Sequence, residues 1–539
     1  MQDPKSHPMS ELETLIHEHV AVAEPLFKAH ALAQWEAHTT GKPEAQEEAA
    51  RLSAEVMRLY AQPEPFWRLA ELRRTPPDDP LLARQLERLY LRYLVGQRDP
   101  HVIDRLTQIE KEVRAEMVNY RPQVRGRRLS DNDILAILRE ETDSALRREA
   151  WEASKEIGGR IADQVRELAR LRNEGARRLG FPDYYHLALA GQELDPDELF
   201  DLLDRLAERT EGPFRRAKEW LDRRLADRFG IDPGQLRPWH YSDPFFQRAP
   251  EEPDLDLSPY LEGKDLEELA RRTYEGIGMG IDDILARSDL YERDGKNQHA
   301  FCMDVDRKGD IRILANLRPI ERWTVTLLHE LGHAVYDKYI DRDLPWLLRR
   351  PAHTFTTEAV AILMGRQVRT ARWLRQVLGL SDEEVDRLTA RLAQQERLNS
   401  LVFVRWALVM VHFERAFYAD PDQDLDTLWR DLKERFQLLT WPEGRHEPDW
   451  AAKYHIALAP VYYHNYILGE LFASQLGNFI EDRLGGLVGE PKAGAFLIER
   501  VLAPGARLDW RALVEYATGS PLTPEPFAAW VSSWSPPTA

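Results

Sequence analysis

Cysteine is nearly absent from this 539-residue chain: Cys302 is the single one, so no intramolecular disulfide can form and a thiolate zinc site of the finger type is excluded by count. Any bound metal must therefore be held by histidine and carboxylate. Long apolar runs are missing too. No stretch approaches the length of a membrane span, and the polar segment Met1 to Leu12 has no apolar core of signal-peptide length, so the expectation is a cytoplasmic protein with no membrane partner. Basic charge is in the minority, 73 Lys plus Arg against 91 Asp plus Glu, giving a formal net charge of −18 spread along the chain. Such a surface repels nucleic acid and anionic lipid, and neither is expected as a partner.

Strand patterns are also scarce. Segments rich in Leu, Ala, Arg and Glu, with apolar residues three and four apart, predict long amphipathic helices over Glu44 to Tyr60, Asp133 to Arg178 and Asp382 to Tyr418, hence a mostly α fold. The exception is His299 to Leu317. There the runs His299 to Val305 and Asp310 to Leu314 flank a turn centred on Arg307-Lys308-Gly309, which predicts a small antiparallel β-hairpin. Proline-rich breaks at Pro76-Pro77, Pro238 to Pro253 and Pro521 to Pro537 mark loops, none of them long enough for a flexible linker. No fixed-period repeat is present. The glycines from Gly276 to Gly280 follow no strand pattern and have the wrong spacing for a phosphate loop, so a helix-end loop is expected there.

Against this background one motif stands out, His329-Glu330-Leu331-Gly332-His333, the HExxH pattern. With 16 histidines in the chain it would arise by chance about 0.04 times. Pro319 suits the first turn of a helix spanning Ile320 to Ile340, and residues four apart share a helix face, so both imidazoles can reach one ion while Glu330 sits beside its water. Leu327, Leu328, Leu331, Ala334 and Val335 surround the pair with apolar side chains. Burying His, Glu and His among them without a partner would be costly, and a metal removes the difficulty. A catalytic zinc takes three protein ligands and keeps a place for water, so a further ligand is needed. Glu358, a carboxylate embedded in the apolar helical pattern Phe355 to Ile362, is the candidate; its alternative is a capping or surface role near a helix start.

From Asp343-Leu344-Pro345-Trp346-Leu347-Leu348-Arg349-Arg350 to the Glu358 helix, the chain resembles the segment after HExxH in the angiotensin-converting enzyme family, with thimet oligopeptidase and oligoendopeptidase F as wider relatives. The resemblance extends to Trp35 and Thr39-Thr40-Gly41, to Arg172-Asn173-Glu174-Gly175-Ala176-Arg177 with Gly180-Phe181, and to Lys453-Tyr454-His455. It implies a single peptidase unit over 1–539. N-terminal lid helices at about 1–130 would cover a prolate, two-lobed helical body at about 131–539, with the metal on the floor of a deep central channel. One zinc ion per chain, short or unfolded peptide substrates, and a monomer or weak homo-oligomer are implied as well. His299 and Ala300 fall where the family binds the substrate main chain, in agreement with the hairpin, since a strand edge accepts an extended peptide. Lys453, Tyr463 and Gln247 resemble the residues that hold a free C-terminal carboxylate, and His455 and Tyr466 those that stabilise the transition state; one extra residue after His455 leaves Tyr462 as an alternative to Tyr463.

Two positions depart from the family pattern. Ile362 stands where animal converting enzymes carry an acid four residues after the third ligand, so the support of the metal site must differ. Asn465 stands at the place of an arginine linked to chloride binding, which puts chloride dependence in question. The implied activity is a dipeptidyl carboxypeptidase. An endo-acting oligopeptidase of the oligoendopeptidase F type is the alternative within enzymes, and a catalytically silent peptide-binding protein the alternative outside them.

Overall fold

The computed structural model describes residues 9–536. The first eight residues of the polar amino-terminal stretch, and Pro537 of the last proline-rich break, lie outside them. The described residues form 22 α-helices, two antiparallel two-stranded sheets and short 3-10 and π turns, a mostly α fold as expected. None of these helices is long and apolar enough to cross a membrane.

Helix formation follows the periodicity. In Pro43–Tyr60 the buried residues are Ala45, Ala49, Leu52, Val56 and Tyr60, one stripe at spacings of three and four. The segment expected to be one helix from Asp133 to Arg178 is instead two, Asp131–Glu140 and Ser144–Arg178. The break has a local cause: the Asp143 carboxylate accepts from the amides of Ala145 and Leu146 and so starts a new helix. Pro319 likewise lies just before the motif helix, Glu321–Tyr339, whose cap is Ile320.

A short hairpin not anticipated from sequence pairs β1 (Gln123–Val124) with β2 (Arg127–Arg128), closed by Arg125 and Gly126 at φ 50° and 78°. The expected hairpin is present as β3 (Phe301–Asp304) paired with β4 (Ile311–Leu314), its turn containing Arg307 at φ 55° and Gly309 at φ 118°. Gly276 caps the helix Leu266–Glu275, and the glycines after it form the helix-end loop.

The chain packs as two compact units, each assembled from separate segments. The first comprises Met1–Gln97, Asp256–Val385 and Gly469–Leu522. It holds the HExxH helix, the helix Thr354–Arg366 packed along it, and the β3–β4 hairpin. The second comprises Arg98–Leu255, Asp386–Leu468 and Thr523–Ala539. Its core is aromatic: Trp406, Trp429, Phe413 and Trp450 are buried in edge and tilted contacts at 5.2–5.8 Å between ring centres. In that unit Arg147, fully buried, donates to the carbonyls of Trp239 (2.8 Å) and Tyr241 (3.2 Å), and Trp151 Nε1 donates to Pro244 O (3.0 Å), which ties the proline-rich loop to the helix Ser144–Arg178.

Candidate metal centre and peptide-binding residues

The apolar residues around the motif do form a core: Leu327, Leu328, Leu331, Ala334 and Val335 are each at most 1% exposed. His329 and His333 occupy the other face of the same helix and keep 27% and 19% of their side chains accessible. The helix is anchored at its start, where Ser258 Oγ accepts from the Glu321 amide and Glu321 itself pairs with Arg369. Deeper in, Tyr274 Oη donates to Leu328 O at 2.6 Å.

What brings the third candidate ligand, the carboxylate of Glu358, into place is a close approach between two helices. A Cβ on Gly332 would lie 2.6 Å from Ala361 Cα and 3.1 Å from Ala361 N, so glycine in the middle of HExxH lets the helix Thr354–Arg366 touch the motif helix backbone to backbone. Glu358, one turn before Ala361, then faces the histidines. A Cβ on Gly469 would come within 3.1 Å of Glu358 Cγ, so that glycine leaves room for the stem of Glu358. Glu358 is not the cap of its helix; His353 is, with its Nδ1 accepting from the Phe355 amide.

The ligand-capable atoms of His329, His333 and Glu358 all lie within 4.8 Å of one another. Glu358 Oε1 is 3.5 Å from His329 Nε2, and Oε2 is 3.4 Å from His333 Nε2. A tetrahedral ion with bonds of about 2.0–2.1 Å separates its ligand atoms by roughly 3.3–3.4 Å, so the two histidine–carboxylate distances are those that zinc would take. Electrostatics agree. Burial pushes His329 down to about 4, leaving a neutral imidazole with a lone pair to offer. For Glu358, burial alone would raise the carboxyl, but its hydrogen-bonding contact with His333 and the proximity of both histidines outweigh it and hold it below the ordinary range.

Glu330 lies beside them. Burial raises its carboxyl to about 7, while the Cys302 backbone amide hydrogen-bonds to it. That amide belongs to the outer edge of β3. On the far side of β4 Asp289 N donates to Ile313 O, so Cys302, opposite Ile313, turns its own N–H and C=O outward. Ala300, two residues back, shares that edge, and His299 before it is exposed, its amide donating to Asn297 Oδ1 at 3.0 Å. Among the described residues no strand pairs with this edge. Lys296 holds the loop from within, donating to Asp289 O, Tyr291 O and Ala315 O at 2.5–3.0 Å.

The other five residues singled out by resemblance converge in the second unit. Lys453 Nζ donates to Gln247 Oε1 at 3.0 Å although the two are 206 residues apart. Tyr463 lies 5.9 Å from Lys453 Nζ and 4.9 Å, edge-on, from His455, and Tyr466 lies 5.1 Å from Tyr463 and 6.1 Å from His455. Burial lowers Lys453 to about 8, with Asp243 opposing, and lowers His455 to about 4, with Lys453 adding to it. His455 Nδ1 is buried with no hydrogen-bond partner among the described residues. Tyr463 Oη accepts from Trp406 Nε1 at 2.7 Å, which fixes the phenol. Asn465 is buried, and its amide donates to Gln192 Oε1 at 3.2 Å.

Three contributors escaped the sequence reading. Thr357 Oγ1 is 2.8 Å from His333 Nδ1. Asp243 is 5% exposed and accepts from the amides of Phe245, Gln247 and Arg248, curling the loop that presents Gln247. Lys296 supports the loop before β3. For Asp243 a signal existed, an Asp-Pro turn start; for the other two there was none.

A helix-borne HExxH completed by a glutamate from a neighbouring helix is the arrangement of a metallopeptidase. The family model Peptidase_M2, described as angiotensin-converting enzyme, matches residues 290–520, and over this stretch the chain is similar to that family. The match spans less than half of the chain and takes in every residue singled out above for a site except Asp243 and Gln247. A comparison with curated proteins gave no match.

Proposed function

We propose that this chain is a zinc-dependent peptidase that removes dipeptides from the C-terminal ends of short peptides. The observation that carries the reading is the cluster of His329, His333 and Glu358, three ligand-capable groups within 4.8 Å of one another, with Glu330 next to them on the motif helix. His329, His333 and Glu358 would hold zinc, which would supply Lewis acidity to a peptide carbonyl and lower the pKa of a water from about 15.7 toward about 7. Glu330 takes the proton released as that water attacks and passes it to the departing amine. The outer edge of β3, with Ala300 and His299, holds the substrate main chain as an added strand. His455 and Tyr466 donate to the oxyanion as it forms. Lys453, Gln247 and Tyr463 hold the terminal carboxylate, the lysine as the charge and the other two as directional hydrogen-bond partners.

Glu330→Gln tests the base, with zinc content and hydrolysis measured on one preparation. The variant should keep its zinc and lose at least 100-fold in kcat; retained zinc with normal turnover would eliminate Glu330 from the reaction. A ladder of peptides, free and C-terminally amidated, tests the carboxylate site. Loss of cleavage on amidation is expected, whereas equal cleavage of both forms would favour an endo-acting oligopeptidase.

A further inference from the structure

We propose that Thr357 is the positioning residue of the metal centre, the hydroxyl that orients His333 so that its Nε2 faces the ion. The inference rests on the zinc reading above. His333 Nδ1 lies 2.8 Å from Thr357 Oγ1, while Nε2 at the other end of the ring is 3.4 Å from the Glu358 carboxylate. A neutral imidazole carries one proton, and the partner at one nitrogen decides which nitrogen keeps it. With Thr357 Oγ1 accepting from Nδ1–H, the lone pair stays on Nε2, the nitrogen aimed at the ligand cluster.

The neighbouring sequence shows why this task falls to Thr357. One turn further along the same helix, Ile362 offers no hydrogen bond, so the acid expected there from the family pattern cannot serve. Thr356, the preceding residue, is fully buried and spends its hydroxyl on His353 O at 2.8 Å, within its own helix cap. Thr357 is only half-buried and turned to His333. Because Thr357 and Glu358 are consecutive, the helix Thr354–Arg366 delivers both the third ligand and the group that orients the second, and the β-branched threonine holds its hydroxyl in few rotamers. Partners of this kind contribute 10- to 100-fold to metal affinity.

The test measures zinc dissociation constants of the metal-stripped full chain by competition with a chromophoric chelator, and the visible absorption of the cobalt-substituted protein. Thr357→Val keeps the shape and loses the hydroxyl; it should bind zinc 10- to 100-fold more weakly and alter the cobalt bands. Thr357→Ser, which restores the hydroxyl, should return to within a few-fold of the parent, and Thr356→Ser should leave affinity unchanged. Thermal unfolding of the metal-free proteins separates orientation from folding, and if Thr357→Val folds poorly, Thr357→Ala carries the same comparison. Zinc bound as tightly by a folded Thr357→Val as by the parent would overturn the role of Thr357. A parent chain that binds no zinc would overturn the metal reading itself, and the parent measurement distinguishes the two failures.

Discussion

The close approach at Gly332 invites the most informative perturbation, Gly332→Ala. The added Cβ would stand 2.6 Å from Ala361 Cα, with Ala361 N and Val360 O at 3.1 and 3.2 Å, all of them backbone atoms that cannot swing aside. An ordinary carbon contact is about 3.5–4.0 Å, so the two helices must part by roughly 1 Å. Two effects oppose each other. Alanine is favoured over glycine inside a helix by about 1 kcal/mol, whereas overpacking a tight interface costs about 1–3 kcal/mol, and the rigidity of the opposing backbone puts this case at the upper end. A net loss of about 1–2 kcal/mol follows. The larger effect is on the metal: a 1 Å separation moves Glu358 away from imidazoles that now sit 3.4 and 3.5 Å from it, beyond the roughly 0.5 Å that a metal site tolerates. Zinc affinity should fall at least 10-fold. Gly365→Ala, at the same interface, is the control. Its Cβ would meet Val325 and His329 only at 3.5–3.6 Å, so stability and affinity should hold or improve slightly. Chelator competition and scanning fluorimetry on the two variants decide the matter, and a Gly332→Ala protein with parental affinity and melting midpoint would refute the reasoning.

Adjacent glycines in the helix Ser144–Arg178 allow a matched comparison in the second unit. A Cβ on Gly158 would fall 2.3 Å from Pro448 O, against the segment that leads to Lys453 and His455, while one on Gly159 would meet nothing within 4 Å. Gly158→Ala should lower the melting midpoint and raise KM for free peptides; Gly159→Ala should raise stability by about 0.5–1 kcal/mol, and similar behaviour of the two in thermal unfolding would contradict the packing described. Glu414 provides a pH prediction. It is 2% exposed, and burial lifts its carboxyl from 4.5 to about 8 despite the Val461 amide and Arg172. Between those values the folded chain keeps a proton that the unfolded chain has released, so this group makes stability fall as pH rises through about 4.5 to 8, at up to about 1.4 kcal/mol per pH unit. Glu414→Gln should flatten that decline in melting curves recorded from pH 5 to 9, and parallel curves for variant and parent would count against it.

How much of this was legible in the sequence depended on the range over which the physics acts. Helices and the β3–β4 hairpin are set by periodicities of 3.6 and 2 within a dozen residues, and their patterns were plain. The division at 141–143 was missed because a cap is decided by one side chain: Asp143 turning onto two amides outweighs a helical pattern that continues on both sides. The HExxH pair was legible because its two imidazoles are placed by a single turn of one helix. Glu358 was legible only as a carboxylate embedded in an apolar helical pattern, since its approach to the pair is fixed by the absence of a side chain on Gly332.

The residues that resisted reading share a different property: each acts through an atom that many residue types could supply. Thr357 contributes a hydroxyl, Lys296 a set of ammonium hydrogens aimed at backbone carbonyls, and Asp243 a carboxylate that curls a loop. Neither Thr357 nor Lys296 makes a sequence pattern: a threonine beside a glutamate is common, and only the position of His333, 24 residues away, gives it meaning. Gln247 shows the opposite case. Its local match was short, yet it lies 3.0 Å from Lys453, and the loop that carries it is held by Asp243, by Lys433 at Phe245 O and by Gln437 at Phe246 O. So much buried hydrogen bonding spent on one loop is the physical argument that the amide of Gln247 is meant to be where it is. Cutting it should therefore act on peptides with a free terminus and leave amidated ones unaffected, so Gln247→Leu should raise KM for the former alone, and an equal change for both would assign this loop to stability instead.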